Sequence, residues 1–249
     1  VLRIDTVTHH VTTFGDLPEG GHKWHGGLVG TDGAIYSFPA HADTVLKIVP
    51  GVGDDAHVEF IGHGSFTSGV HRADGKYKYL GGVLGKDGFL YGIPSDADHV
   101  LRIKPDTQEC EEVGMSLRGE TIVQNKWQNG FCASDGTIYG IPLKADRVLC
   151  VRPHQPDDKG HPEVTTVGGP FHGLNKWEGG VMGADGAMYC MPLNHKRVLR
   201  IGPSNLAPPP PPPSLPSSST TTTTTTTTVA QTAVLRSSAH SATYAKGRR

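Results

Sequence analysis

The 249-residue sequence has no long apolar run, no excess charge of one sign and no recognised catalytic motif. No stretch approaches the roughly 18 apolar residues that a membrane-spanning helix needs, so we expect no membrane partner. The 23 basic residues are matched by 24 acidic ones, which argues against a nucleic-acid partner. The GxSxG, HExxH, P-loop and Rossmann patterns are also missing, so no catalytic residue can be assigned from a motif.

Cysteine is scarce, and its spacing does not suggest a metal site. The four cysteines form no C-x-x-C pair. Isolated thiols of this kind usually pack as small apolar groups. We therefore predict free, mostly buried thiols, which favours a reducing compartment but leaves the localisation unknown. These residues are Cys110, Cys132, Cys150 and Cys190.

What the sequence does contain is an internal repeat of about 50 residues, present four times. Each repeat begins with Lys and an aromatic residue, carries Asp-Gly and Pro at fixed positions, and ends in a Val-Leu pair or its equivalent. The segments align without gaps, so the match reflects a repeated structural unit. The repeats begin at Lys23, Lys78, Lys126 and Lys176.

Each repeat predicts four short antiparallel strands. The glycine-rich apolar run after the aromatic residue predicts a buried first strand. Asp-Gly between apolar runs predicts a hairpin, and Pro39 and its equivalents end the second strand because proline cannot donate a hydrogen bond. An alternating Val-Leu-Lys-Ile run predicts the third strand. The fourth strand is expected at 58–62, 111–114 and 164–168.

Four antiparallel strands in each repeat of this length indicate a blade of a β-propeller. We predict an all-β fold over residues 1–203, with four recognisable four-stranded blades and a partial N-terminal blade. Residues 1–4 match 198–201, and residues 10–15 resemble a fourth strand. Either 10–15 completes the last blade and closes a four-bladed ring, or the chain is a fragment of a larger ring. The duplicated Val-Leu-Arg-Ile favours the fragment.

The C-terminal part has a different composition. Residues 204–228 form a run of Pro, Ser and Thr, and residues 229–249 are weakly basic. Such segments cannot bury enough apolar surface to offset the entropy lost on ordering. We predict a low-complexity linker followed by a disordered basic tail.

The pattern KWxGGV…DGxIYGIP…VLxIxP resembles the propeller repeats of uncharacterised algal, protist and bacterial proteins. More distantly, it is similar to the NHL-repeat, virginiamycin B lyase-like and gluconolactonase (senescence-marker) families. This resemblance implies the fold but no single activity, because propellers carry lyases, lactonases, dehydrogenases and binding platforms. It also implies a ligand site around the central channel, on the face that holds the links between blades and the loops between second and third strands.

The candidate ligand-binding residues lie at the start of each repeat on that face. The repeated aromatic residue either stacks on a ligand or packs between blades, and its presence in every repeat favours packing. The residue after the aromatic differs between repeats, as expected of a position where only one repeat has to supply a reactive or ligand-binding group. The candidates are Trp24, His25, Tyr79, Trp127, Gln128, Trp177 and Glu178.

Two functions remain open. The first is a non-catalytic binding or scaffold module that presents this face to a protein or a small-molecule ligand; the lack of a catalytic motif favours it. The second is a divalent-metal-dependent hydrolase or lyase of the gluconolactonase or virginiamycin B lyase type. The resemblance implies Ca²⁺ or Mg²⁺ for that function, with His25, Asn129 and Glu178 as the metal-site candidates.

Overall fold

The computed structural model describes residues 1–51 and 55–202. The predicted linker at 204–228 and tail at 229–249 lie outside the described residues. Within these residues the regular structure is β-strand, arranged as five separate antiparallel sheets. No helix in this part of the chain has the length and apolarity to cross a membrane. The predicted all-β class is confirmed.

The strands follow the repeat. An N-terminal hairpin contains β1 (Leu2–Ile4) and β2 (Val11–Thr13). Blade 1 contains β3 (Trp24–Val29), β4 (Ile35–Pro39), β5 (Val45–Val49) and β6 (His57–Ile61). Blade 2 contains β7 (Tyr79–Leu84), β8 (Leu90–Pro94), β9 (Val100–Lys104) and β10 (Glu109–Val113). Blade 3 contains β11 (Trp127–Cys132), β12 (Ile138–Pro142), β13 (Val148–Pro156) and β14 (Pro162–Val167). Blade 4 contains β15 (Trp177–Met182), β16 (Met188–Pro192) and β17 (Leu199–Ile201).

Blades 1 to 3 have four strands each, in sequential order across the sheet. Blade 4 has three strands in the described residues, one fewer than predicted. The N-terminal hairpin is a separate two-stranded sheet, which confirms the predicted partial blade.

The structure does not show residues 10–15 completing blade 4. Among the described strands, β2 pairs with β1 alone and β17 with β16 alone. The hairpin is instead held beside blade 1, where Arg3 Nη1 donates to the Gly51 carbonyl at 3.0 Å. A hydrogen bond joins the two ends of the hairpin, because the Val1 amino group donates to the Phe14 carbonyl at 2.7 Å.

The Asp-Gly pairs are turns, as predicted. In blade 1, Asp32 Oδ1 accepts a hydrogen bond from the Ala34 amide at 3.1 Å, and Oδ2 accepts one from the Tyr36 hydroxyl at 2.8 Å. Gly33 has a φ of +80°, a conformation that glycine adopts without strain. The aspartate therefore closes the hairpin and anchors the second strand, and it is not a free acid.

The hydrophobic core lies between blades and not within them. In each junction, one face of a blade (its front face) packs against the opposite face of the next blade (its back face). At the first junction, Phe38 and Val45 of blade 1 share one cluster with Tyr79, Leu90 and Leu101 of blade 2. Equivalent positions form the clusters between blades 2 and 3 and between blades 3 and 4. A blade is thus stabilised mainly by its neighbours, because burying apolar area drives their contact.

The four cysteines are free, and all lie in strands. Cys110, Cys150 and Cys190 are buried, and Cys132 is half-buried. Burial raises the pKa of the Cys110 and Cys190 thiols to about 12. The predicted role as small apolar groups is confirmed, since such thiols are not reactive at neutral pH.

Candidate functional site

The repeated aromatic residues belong to the junction cores. Tyr79, Trp127 and Trp177 are fully buried, so no ring face is open to a ligand at these three positions. Trp127 Nε1 donates to the Arg147 carbonyl at 2.8 Å, and Trp177 Nε1 donates to the Arg197 carbonyl at 2.7 Å. These contacts join the first strand to the loop before the third. The packing alternative accounts for these three residues.

Trp24 differs from its equivalents because the sheet before it is only a hairpin. Its indole still donates to the Thr44 carbonyl at 2.7 Å, but its ring is only half-buried. It stacks on Phe60 with ring centroids 6.0 Å apart. Of the four aromatic candidates, Trp24 is therefore the one with ring surface available to a ligand.

A β-bulge directs the residue that follows the aromatic. The pairing of first and second strands shifts register at this point in all four blades. The bulge residue has a positive φ in each case, from +56° to +81°. Such a bulge re-aims side chains away from the regular alternation of a strand. The bulge residues are Gly26, Gly81, Asn129 and Gly179.

The polar side chains at the bulges of blades 3 and 4 contact neighbouring first strands. Gln128 Nε2 donates to Glu178 Oε1 at 2.8 Å, across the two blades. Asn129 lies directly against Gly81, where even a single Cβ would overlap its Oδ1. These groups link neighbouring first strands near the hub.

The three residues predicted for a metal make different contacts. Glu178 is engaged by Gln128, Asn129 packs on Gly81, and His25 lines a cavity between blades 1 and 2. In the described residues, no group of three or more His, Cys, Asp or Glu side chains is placed to hold a metal.

A cavity of about 260 Å³ lies beside the first strands of blades 1 and 2. Five of its nine lining residues come from the links between blades and the loop after β4, and the other four lie on first strands. Three sequence candidates, Trp24, His25 and Gln128, lie in its wall. The lining is His22, Trp24, His25, Ala40, His41, Tyr77, Leu80, Asn125 and Gln128.

Two of the lining residues each have a buried imidazole nitrogen without a hydrogen-bond partner. His25 Nδ1 and His41 Nε2 are both enclosed, and neither is bonded to another of the described residues. Leaving a buried polar atom unsatisfied costs about 1–3 kcal/mol. Both nitrogens are covered by protein atoms, so a bond to a ligand in the cavity requires the imidazole ring to turn.

The surroundings of His41 keep its ring neutral. Burial lowers the pKa of His41 below its usual 6.5, and nearby His22, Lys76 and Lys78 lower it further. A neutral imidazole presents one donor and one acceptor. Asp74 acts in the opposite direction on His41, and Lys78 is paired with Asp43 at 3.5 Å, so the charges around the ring are mixed.

Aromatic contacts hold His41 in position. Its ring lies edge-on to Tyr77 with centroids 4.4 Å apart, and His22 lies 5.5 Å away on the other side. The guanidinium of Arg72 covers the Tyr77 ring at 4.6 Å. The cavity wall is thus built from stacked side chains whose rotamers are restricted by their neighbours.

Sequence reasoning missed His41 and Tyr77 as individual site residues, although both fall in segments expected on this face. The sequence does contain a signal for His41, because the equivalent position in the other repeats is occupied by different residues: Asp96, Lys144 and Asn194. Position 77 is Tyr in one repeat and His or Asn in the others. Broken symmetry marks both positions as it marks His25.

No protein-family model matches this chain, and no curated protein matches it. Among solved structures, a catalytically inactive variant of virginiamycin B lyase from Staphylococcus aureus, solved with quinupristin, superposes with a TM-score of 0.60. The identity is 15%, over 82% of this chain and 60% of that one. The fold is that of a β-propeller.

Two further propeller structures are similar. A streptogramin B lyase gives a TM-score of 0.52 at 15% identity, over 78% of this chain and 58% of that chain. A suspected 6-phosphogluconolactonase from Bacteroides uniformis gives 0.51 at 15% identity, over 76% and 56%. This chain spans less than two thirds of the length of these propellers. At such identity the likeness establishes the fold and leaves the activity open.

Proposed function

We propose that this propeller is a non-catalytic binding module whose ligand is a small molecule held in the cavity of His25 and His41. The observation that carries the proposal is one cavity lined by both His25 and His41, the two residues with buried, unpartnered imidazole nitrogens. A pocket of mostly apolar walls with a few convergent polar groups is the usual form of a small-molecule site.

The lining suggests the character of the ligand. Trp24, Leu80 and Ala40 offer apolar surface, while the two histidines and Asn125 offer hydrogen bonds. The volume, about 260 Å³, lies just below the usual range of roughly 300–1,000 Å³ for ligand pockets. A compact ligand with a planar or apolar body and one polar or anionic edge matches these walls.

A thermal-shift screen tests the proposal. The full chain is screened against small aromatic and aliphatic carboxylates, amides and amines, and a true ligand raises the melting temperature in proportion to its occupancy. We expect carboxylates to give the largest shifts. The Leu80→Trp variant fills the cavity and removes the shift, whereas Leu84→Trp, on the same strand but outside the cavity, retains it.

Two results would contradict the proposal. One is a shift that survives in Leu80→Trp, which places the ligand elsewhere. The other is chemical conversion of a stabilising compound during incubation, which is followed by mass spectrometry and would identify an enzyme. The Leu84→Trp variant checks that an added indole on β7 does not itself alter folding.

A further inference from the structure

The front face of blade 4 is exposed, unlike the same face in the other blades. Val181 is 62% exposed, whereas Val83 and Phe131 at the same repeat position are 5% and 6% exposed. Met191 and Val198 are 43% and 51% exposed, although their equivalents in blades 1 to 3 are buried. The three side chains form an apolar sheet face that no other described blade covers.

The N-terminal hairpin exposes a second apolar face. Leu2 and Ile4 lie two residues apart on β1, and Val11 pairs with Ile4 across the hairpin, so the three side chains share one side. Each is more than half exposed. The opposite side of the hairpin, with Val1 and Phe14, faces blade 1.

The two exposed faces are the two halves of a blade junction. Residues 1–4 have the same sequence, Val-Leu-Arg-Ile, as residues 100–103 of blade 2. Leu2 and Ile4 therefore occupy the back-face positions of Leu101 and Ile103. In blade 2 those two residues lie in the core shared with the front face of blade 1. The hairpin therefore presents the surface against which a front face packs inside the molecule.

We propose that the front face of blade 4 docks on the back face of the N-terminal hairpin in a second copy of this chain. Because both faces are exposed in the same molecule, they do not cover each other. The contact joins different surfaces of the two copies, so repetition gives a closed ring or an open chain of molecules. Burial of the two apolar faces drives the association.

Sedimentation velocity of the full chain at increasing concentration tests this interface. We expect the mean mass to rise with concentration, since association follows mass action. Val181→Lys on the front face and Leu2→Lys on the back face each weaken self-association by roughly tenfold or more, because each buries an unpaired charge. Val70→Lys is the matched control, because Val70 is an exposed valine in the link between blades 1 and 2. We expect this variant to associate like the wild type.

A mixture of the two variants gives the most specific test of the interface. Val181→Lys keeps an intact hairpin, and Leu2→Lys keeps an intact blade 4, so the mixture forms a dimer although neither variant does so alone. A front-to-front contact gives no such rescue. The proposal is overturned by a wild-type chain that is monomeric at all concentrations, by a Val181→Lys variant that associates like the wild type, or by a mixture without dimer. Matching circular dichroism spectra of the variants exclude misfolding as the cause.

Discussion

At the scale of single residues, the buried lysines are the least expected feature of the repeat. Lys78, Lys126 and Lys176 are almost completely buried, although lysine is rarely found inside proteins. Lys126 Nζ donates to the Ala97 carbonyl of the preceding blade at 2.9 Å, and Lys78 Nζ donates to the Ala42 carbonyl at 3.1 Å. These two ammonium groups thus join their own blade to the loop of the blade before it, whereas Lys176 Nζ donates to the Gly173 carbonyl at 3.1 Å, three residues earlier in the chain.

The pH dependence of unfolding tests this arrangement at Lys126. Burial lowers the pKa of Lys126 to about 8, while Asp96, Asp98 and Glu120 act in the opposite direction. Between pH 8 and the ordinary lysine pKa of 10.5, the unfolded chain holds a proton that the folded chain has released. Lys126 therefore makes the free energy of unfolding rise with pH in this window, by at most about 3 kcal/mol.

We expect the Lys126→Met variant to lose this rise, as measured by urea unfolding at several pH values. Cys110 and Cys190 act in the opposite direction above pH 9, because their pKa values are raised to about 12. The difference between wild type and variant isolates the lysine, since both chains contain the two cysteines. Parallel curves for the two proteins would mean that Lys126 stays charged throughout.

At the scale of strands and blades, each element is completed by its neighbour. The same repeat position is buried where a following blade exists and exposed where none is described, as at Ile93 and Met191. Local pattern cannot distinguish the two positions, because both alternate correctly within their strands. The junction, and not the strand, decides how much each side chain contributes to stability.

Truncation at these two positions makes the difference measurable. Ile93→Ala is expected to lower the free energy of unfolding by about 2–5 kcal/mol, since it leaves a cavity in the core between blades 2 and 3. Met191→Ala is expected to lower it by less than about 1 kcal/mol, because the side chain is already 43% exposed. Urea denaturation measures both values, and equal losses would contradict the junction account.

Strand positions were predicted from sequence to within two or three residues, because hairpin and proline signals are local. An exception is β13, which continues past Pro153 to Pro156. The pairing of β13 with β14 shifts register between Arg152 and Pro156, so the irregular segment accommodates Pro153 without a regular ladder bond. The equivalent proline ends the third strand in blade 1.

At the scale of the whole molecule, the candidate functions depend on the side chains carried by the first strands of the blades. The polar residues that break the symmetry of the repeat lie on first strands, but they are directed to different neighbours. His25 lines the cavity, Gln128 bonds to Glu178, and Asn129 packs on Gly81. Gln128 also lines the cavity with His25, beside the first strands of blades 1 and 2.

Divalent ions provide a test at this scale. We expect neither Ca²⁺ nor Mg²⁺ to raise the melting temperature of the full chain above that measured with a chelator, because no group of three or more His, Cys, Asp or Glu side chains in the described residues is placed to hold an ion. A clear rise that is lost in Glu178→Gln would restore the metal-dependent hydrolase or lyase as the better function. The Glu178→Gln variant without ions serves as the control for its own stability.

The sequence by itself determined the blade and its strand order, because these follow from turn chemistry and side-chain alternation within about 50 residues. Only the tertiary structure decided which aromatic ring remains accessible, which lysines are buried and which polar groups meet. These properties depend on contacts between blades, where residues far apart in the chain become neighbours. Trp24 and Trp127 illustrate this, since the same position in the repeat is half-buried in one blade and fully enclosed in the other.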